Sequence, residues 1–228
     1  MEFPILKGLI SDIPAGTVTI MVGPPGVGKS SLCRMIVAEK VLTDNVVVLV
    51  TDIPAENFRL SLDLSQNLTS KFLVIDAHSS LAGVKSNEKH IVEDLTNLTE
   101  VEILISKILQ EFKEKGCIFI LDSFSTFLSF VGEEDAIKFL YILISRLRVN
   151  KSYGFIVVEK GIHTESFYNI LYQIADLILE FKILELNKKV LRLVRTFICR
   201  YCSPKTKWFS LAFYNGKVKL KPFKGRKH

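Results

Sequence analysis

Gly23-Pro24-Pro25-Gly26-Val27-Gly28-Lys29-Ser30 decides how the rest of the chain is read. It satisfies G-x-x-x-x-G-K-[ST] in full. A short β-branched apolar run, Thr17–Val22, precedes it, and a segment of helical character, Ser30–Lys40, follows. Glycines let the backbone curl with its N–H groups turned inward, which makes a concavity for anionic oxygens. The N-terminus of the following helix adds the positive end of a dipole. A lysine at this place reaches the β- and γ-phosphates of a nucleotide, and the next serine hydroxyl ligates Mg²⁺. Gly23, Pro24, Pro25, Gly26, Val27, Gly28, Lys29, Ser30 and Ser31 are the candidate phosphate-binding residues. Lys29 is expected to be solvated without nucleotide, so that Lys29→Ala leaves the fold intact.

A phosphate loop of this kind needs an acid at the end of another buried strand to complete the Mg²⁺ shell. Cys117–Leu121 is an apolar run that ends on Asp122, followed by Ser123. A carboxylate there is costly unless a cation or hydrogen bonds satisfy it. Asp122 is the candidate metal partner of Ser30, and the alternative is an acid that caps a loop. The chain between Lys29 and Asp122 has room for two more strands, Val46–Thr51 and Phe72–Asp76.

Thr99–Lys115 carries Val101, Leu104, Ile105, Ile108, Leu109 and Phe112 at helical spacing. Thr99 with Glu102 forms a candidate capping box, and Gly116 suits the position after the helix. Glu133–Val149 is a second helix, with three acids at its start and Arg146 and Arg148 near its end. Phe155–Val158 is a further strand. Continuous apolar strands alternating with helices predict a mostly parallel sheet covered on both faces. From about Leu177 the pattern alternates, and Asn215-Gly216 between Tyr214 and Lys217 reads as a hairpin turn. Antiparallel strands from 177–228 are expected to extend the sheet along one edge, within a single domain over 1–228.

With 48% hydrophobic and 24% charged residues the chain is not disordered. No apolar run approaches the ~18–20 residues that cross a bilayer, and Met1–Gly8 lacks a secretory pattern. Four cysteines are too few for a disulfide scaffold, which makes the cytoplasm the expected compartment. Cys199-x-x-Cys202 has the spacing of half a zinc site, with no second pair to complete four ligands. The net charge of +6 is unevenly placed: residues 182–228 hold 14 Lys/Arg against one acid, and residues 1–181 hold 16 against 23. Such a basic edge, with its tail at 219–228, suits nucleic acid or the acidic face of a neighbouring subunit, or is simply solvated.

The order of these segments resembles the RecA-superfamily ATPases, and within them the KaiC-like proteins related to RadA. Ile13-Pro14-Ala15-Gly16 resembles the family's approach to its first strand. Val50-Thr51-Asp52, Leu73-Val74-Ile75-Asp76-Ala77, Ile120-Leu121-Asp122-Ser123 and Ala175-Asp176-Leu177-Ile178 resemble later segments in order. The resemblance implies a RecA-like P-loop NTPase fold with ATP and Mg²⁺ as ligands. It also implies a homo-oligomeric ring, such as a hexamer, with ATP at subunit boundaries. Three departures matter. Where the family has a glutamate that activates water, this chain has Asp52, about 1 Å shorter in reach, which implies slow hydrolysis unless Asp52 only caps its loop. Where the family carries K-x-R, this chain has Ile198-Cys199-Arg200, so Arg200 is the candidate trans-acting cation or a surface charge. At the end of Phe155–Val158, expected beside the phosphate-loop strand, stand Glu159 and Lys160. Glu159 is a substitute base and Lys160 a phosphate sensor, or the two are a surface ion pair.

In recombinases of this superfamily DNA is held by two loops, here Phe124–Gly132 and Gly161–Asn169. Neither contains Lys or Arg, which argues against strand exchange. Their aromatics Phe124, Phe127, Phe130, Phe167 and Tyr168 suit base stacking or burial against a partner subunit, and His163 is expected in a surface loop. The expected function is an ATP-binding, weakly hydrolysing protein that controls assembly or regulation, with Lys29, Asp52, Asp122 and Glu159 as its catalytic group. The alternative is a recombinase-like accessory that binds DNA through its basic edge. A small-molecule kinase is disfavoured, because residues 123–165 hold just two arginines where a lid would be.

Overall fold

Val46–Val50 (β2) is five apolar residues in a row, all buried. A strand with no polar face must be covered on both sides. The same holds for Val18–Gly23 (β1) and for Ile118–Asp122 (β5), whose only charged residue is its last. The structure, a computed structural model, describes residues 1–10, 12–62, 71–186, 188–201, 206–214 and 217–223. With Phe72–Asp76 (β3), His90–Ile91 (β4), Tyr153–Glu159 (β6) and Leu177–Leu186 (β7), these strands form a parallel array. Lys189–Cys199 (β8), Phe209–Tyr214 (β9) and Lys217–Pro222 (β10) add to it antiparallel, giving a ten-stranded sheet in the order β10-β9-β8-β7-β1-β6-β5-β2-β3-β4. The basic C-terminal strands extend one edge, as expected, but β7, where the antiparallel region is expected to begin, lies parallel to β1, and antiparallel pairing starts between β7 and β8. Asn215-Gly216, Cys202 and residues 224–228 lie outside the described residues.

Alternate residues of the strands feed two cores. One core packs Val47, Leu49, Phe119 and Ile156 against Leu98–Glu111 (α3), Phe124–Val131 (α4), Glu133–Val149 (α5) and Glu165–Ile174 (α6). The other packs Val46, Val48, Ile120 and Val157 against Lys29–Lys40 (α1), Ala55–Leu60 (α2) and a 3-10 turn at Pro4–Leu6. No helix among the described residues is long and apolar enough to cross a membrane.

Three local expectations change. Asn97, not Thr99, caps α3: its side chain accepts from the Glu100 N–H at 3.3 Å, in keeping with the rank of Asn at this position. The helix stops at Glu111, and Gly116 ends the following turn by donating its N–H to the Phe112 carbonyl at 2.7 Å. Phe124–Gly132 is not a loop but the helix α4, capped by Ser123, and α6 begins at Glu165 with Thr164 as its cap. Phe124, Phe127, Phe167 and Tyr168 are neither base platforms nor interface residues. They lie in the chain's own core, where Phe124 stacks on Phe127 and Phe167, and Phe127 meets Phe139 at 4.6 Å. Phe130 alone of the five is exposed.

Asp176 closes the far end of the sheet. Buried between β1 and β7, it accepts from the Val18 N–H at 2.9 Å, Arg148 at 2.9 Å and the Tyr201 hydroxyl at 3.2 Å.

Candidate phosphate and metal site

The phosphate loop leaves β1 at its C-terminal end, where β6 and β7 flank it. This is where ligands of open parallel sheets gather. Gly23 is held tightly: a Cβ there would come within 2.5 Å of the Phe181 Cβ. Gly28 has φ of +105° and carries the chain into α1. Val27 between them is buried and anchors the loop in the core.

Lys29 is not solvated, contrary to expectation. Its side chain is 3% exposed, and Nζ donates to the Gly23 carbonyl at 2.7 Å, the Pro24 carbonyl at 2.8 Å and Glu159 Oε2 at 2.9 Å. Burial pulls its pKa down, and the bond to Glu159 works in the opposite direction. The reason is geometric: Glu159 pairs in register with Gly23 at the end of β6, beside the loop. This bears out β6 as the neighbour of the phosphate-loop strand. Lys160 instead pairs with Glu180 at 3.1 Å, which Arg195 also holds at 2.7 Å.

The Ser30 hydroxyl donates to Asp122 Oδ1 at 2.9 Å. Asp122 is 6% exposed, and burial pushes its carboxyl up to about 6, against the pull of the Ser30 hydrogen bond. A hydroxyl and a costly buried carboxylate side by side are a hard-oxygen donor pair that fits Mg²⁺. The end of β5 is fastened by Thr51, whose hydroxyl donates to the Ser123 carbonyl and accepts its N–H, both at 2.8 Å. Asp52 follows Thr51 and sits close enough to Asp122 to raise its pKa. Its Oδ1 accepts a short hydrogen bond from the Thr126 hydroxyl on α4, and the Thr51 hydroxyl, whose proton goes to Ser123, lies 3.2 Å away.

A cleft of about 460 Å³ opens over Gly26, Lys29, Ser31 and Glu159. Two residues of the basic strands also line it. Arg192 on β8 donates through Nε to the Gly26 carbonyl at 3.0 Å and lies 5.2 Å from the Phe213 ring of β9. Phe213 reaches Gly28, where a Cβ would meet its ring at 2.7 Å. Neither carries a local sequence signal; both arrive by topology. Arg200 lies at the opposite end of the sheet from its own chain's phosphate loop: its main-chain N–H donates to the Asp176 main-chain carbonyl and its guanidinium to the Gln173 carbonyl. His163 lies in the loop between β6 and α6, as expected, but its side chain is tucked in. It is 8% exposed, with Nε2 2.8 Å from Ser125 Oγ, and burial lowers its pKa.

A phosphate loop facing a buried acid two strands away, in a sheet of this order, defines a RecA-like P-loop fold. The chain superposes on a KaiC-like protein of Pyrococcus horikoshii with a TM-score of 0.73 at 16% identity, over 92% of this chain and 91% of that one. It superposes on the flagellar accessory protein FlaH of Methanocaldococcus jannaschii with a TM-score of 0.72 at 18% identity, over 96% and 95%. No curated protein matches it. Residues 16–181 match a family of unknown function, DUF7504, and the chain belongs to that family.

Proposed function

We propose that the chain binds ATP with Mg²⁺, hydrolyses it slowly, and uses nucleotide state to control assembly or the docking of another protein. The carrying observation is the 2.9 Å contact between Ser30 and Asp122 at the mouth of the phosphate loop. Ser30 and Asp122 would hold the Mg²⁺, which when bound offsets phosphate charge. The loop N–H groups and Lys29 bind phosphate oxygens, and Arg192 with Phe213 borders the rest of the nucleotide. In the same reading the chains form a ring, with Arg200 reaching the neighbour's nucleotide. Gel filtration with light scattering, beside calorimetry with ATP, tests this: binding that needs Mg²⁺ and is lost in EDTA, with a change in mass, is the expected result. No binding with Mg²⁺ present overturns it.

Asp52 is the proposed base, with Glu159 as the other candidate. The Thr126 hydroxyl holds the exposed Asp52 carboxylate against α4. Asp52→Asn is expected to lower ATP turnover by ~10²-fold, and Asp52→Glu to raise it. Unchanged turnover in both variants removes Asp52 from the reaction.

A further inference from the structure

The lysine of the phosphate loop is fully engaged by its own chain. An ammonium has three N–H donors, and Gly23, Pro24 and Glu159 take all three at 2.7, 2.8 and 2.9 Å. Any phosphate oxygen that takes Lys29 must displace one of them. The two carbonyls are neutral and belong to the loop that must cradle the phosphate. Glu159 is the anion among the three, and a phosphate oxygen replaces it in kind.

We propose that Glu159 is an internal competitor for the terminal phosphate, setting both the affinity of the cleft and its discrimination between nucleoside tri- and diphosphates. The inference rests on the reading of the cleft as a nucleotide site. The backbone of Glu159 cannot recede. Its N–H donates to Ser125 Oγ at 2.8 Å, and its carbonyl accepts from the Tyr168 hydroxyl at 2.7 Å. The next residue, Lys160, donates its N–H to the Gly23 carbonyl at 2.9 Å. Ser125 is itself braced by His163 at 2.8 Å. Only the side chain is free to leave, and at 23% exposure it has solvent to leave into. If it stays, two anions share one ammonium and repel; if it goes, Lys29 loses a partner before gaining one. Either way phosphate binding is opposed. Lys29 in such loops reaches both β- and γ-phosphates, so a triphosphate meets the opposition in full and a diphosphate meets it in part.

Dissociation constants for ATP and ADP at saturating Mg²⁺, measured by calorimetry on the full chain, test this. Glu159→Gln keeps the shape and removes the charge; it is expected to tighten ATP about tenfold or more and ADP by a smaller factor. Glu159→Asp keeps the charge on a side chain about 1 Å shorter and is expected to fall between wild type and Glu159→Gln. Both substitutions leave the main-chain bonds that hold the residue in place, and Glu159→Ala, expected to tighten ATP as well, is a second neutral variant. ATP affinity within twofold of wild type in the neutral variants, weaker ATP binding, or equal gains for ATP and ADP overturn the proposal while leaving the nucleotide reading intact. If wild type and all variants bind neither nucleotide, the nucleotide reading falls and the proposal falls with it.

Discussion

Lys29→Ala is expected to abolish measurable ATP binding. Charge-assisted hydrogen bonds contribute about 1.5–3 kcal/mol each, and a lysine at this position reaches two phosphates. The loss is at most about 3–6 kcal/mol, or ~10²–10⁴-fold in affinity, because each phosphate bond replaces one that Lys29 already makes to its own chain. The variant is also expected to melt at a lower temperature than wild type. The side chain is buried and fills three acceptors, and its removal leaves the Gly23 and Pro24 carbonyls to water. Circular dichroism on heating separates that cost from the binding defect. Binding at wild-type affinity would sink the assignment of this loop.

Asp176→Ala is expected to cost about 3–4 kcal/mol of folding stability, read from urea or guanidinium transitions. The Val18 N–H loses its acceptor in a buried position, which costs about 1–3 kcal/mol by itself. The Arg148 pair adds less than a buried pair would, because Arg148 is 42% exposed. Against a typical stability of ~5–15 kcal/mol the sum is large. Asp176→Asn keeps an acceptor for Val18 and is expected to lose about half as much. A change below about 1 kcal/mol in the alanine variant would show that the clip is dispensable.

What the sequence makes legible is local chemistry. The phosphate loop and the acid of β5 are read from residue types whose roles depend on immediate neighbours, and Ser30 meets Asp122 accordingly. The edge position of the basic strands follows from alternation alone. What escapes depends on residues brought together from far apart. Arg192 lies 166 positions from Gly26, and nothing near either residue announces their contact. The helix α4 is hidden because its apolar residues answer to Phe139 and Phe167, on other helices. Residues near Lys29 in the chain place it in water, because the ion pair that buries it comes from Glu159, 130 positions away.

The strand that carries the phosphate loop is the first in the chain and lies in the middle of the sheet, between β6 and β7. Its two hydrogen-bonding neighbours are therefore among the last parallel strands a ribosome delivers. Val18 and the Asp176 carboxylate that receives its N–H are separated by 158 positions. At ~5–20 residues per second, β1 waits roughly 8–30 s for that partner to be made. During that interval an apolar strand has two open edges, the kind of surface that chaperones cover and that pairs wrongly with other chains. Until β6 and β7 have been made, the loop after β1 lacks both of its flanks, Glu159 among them.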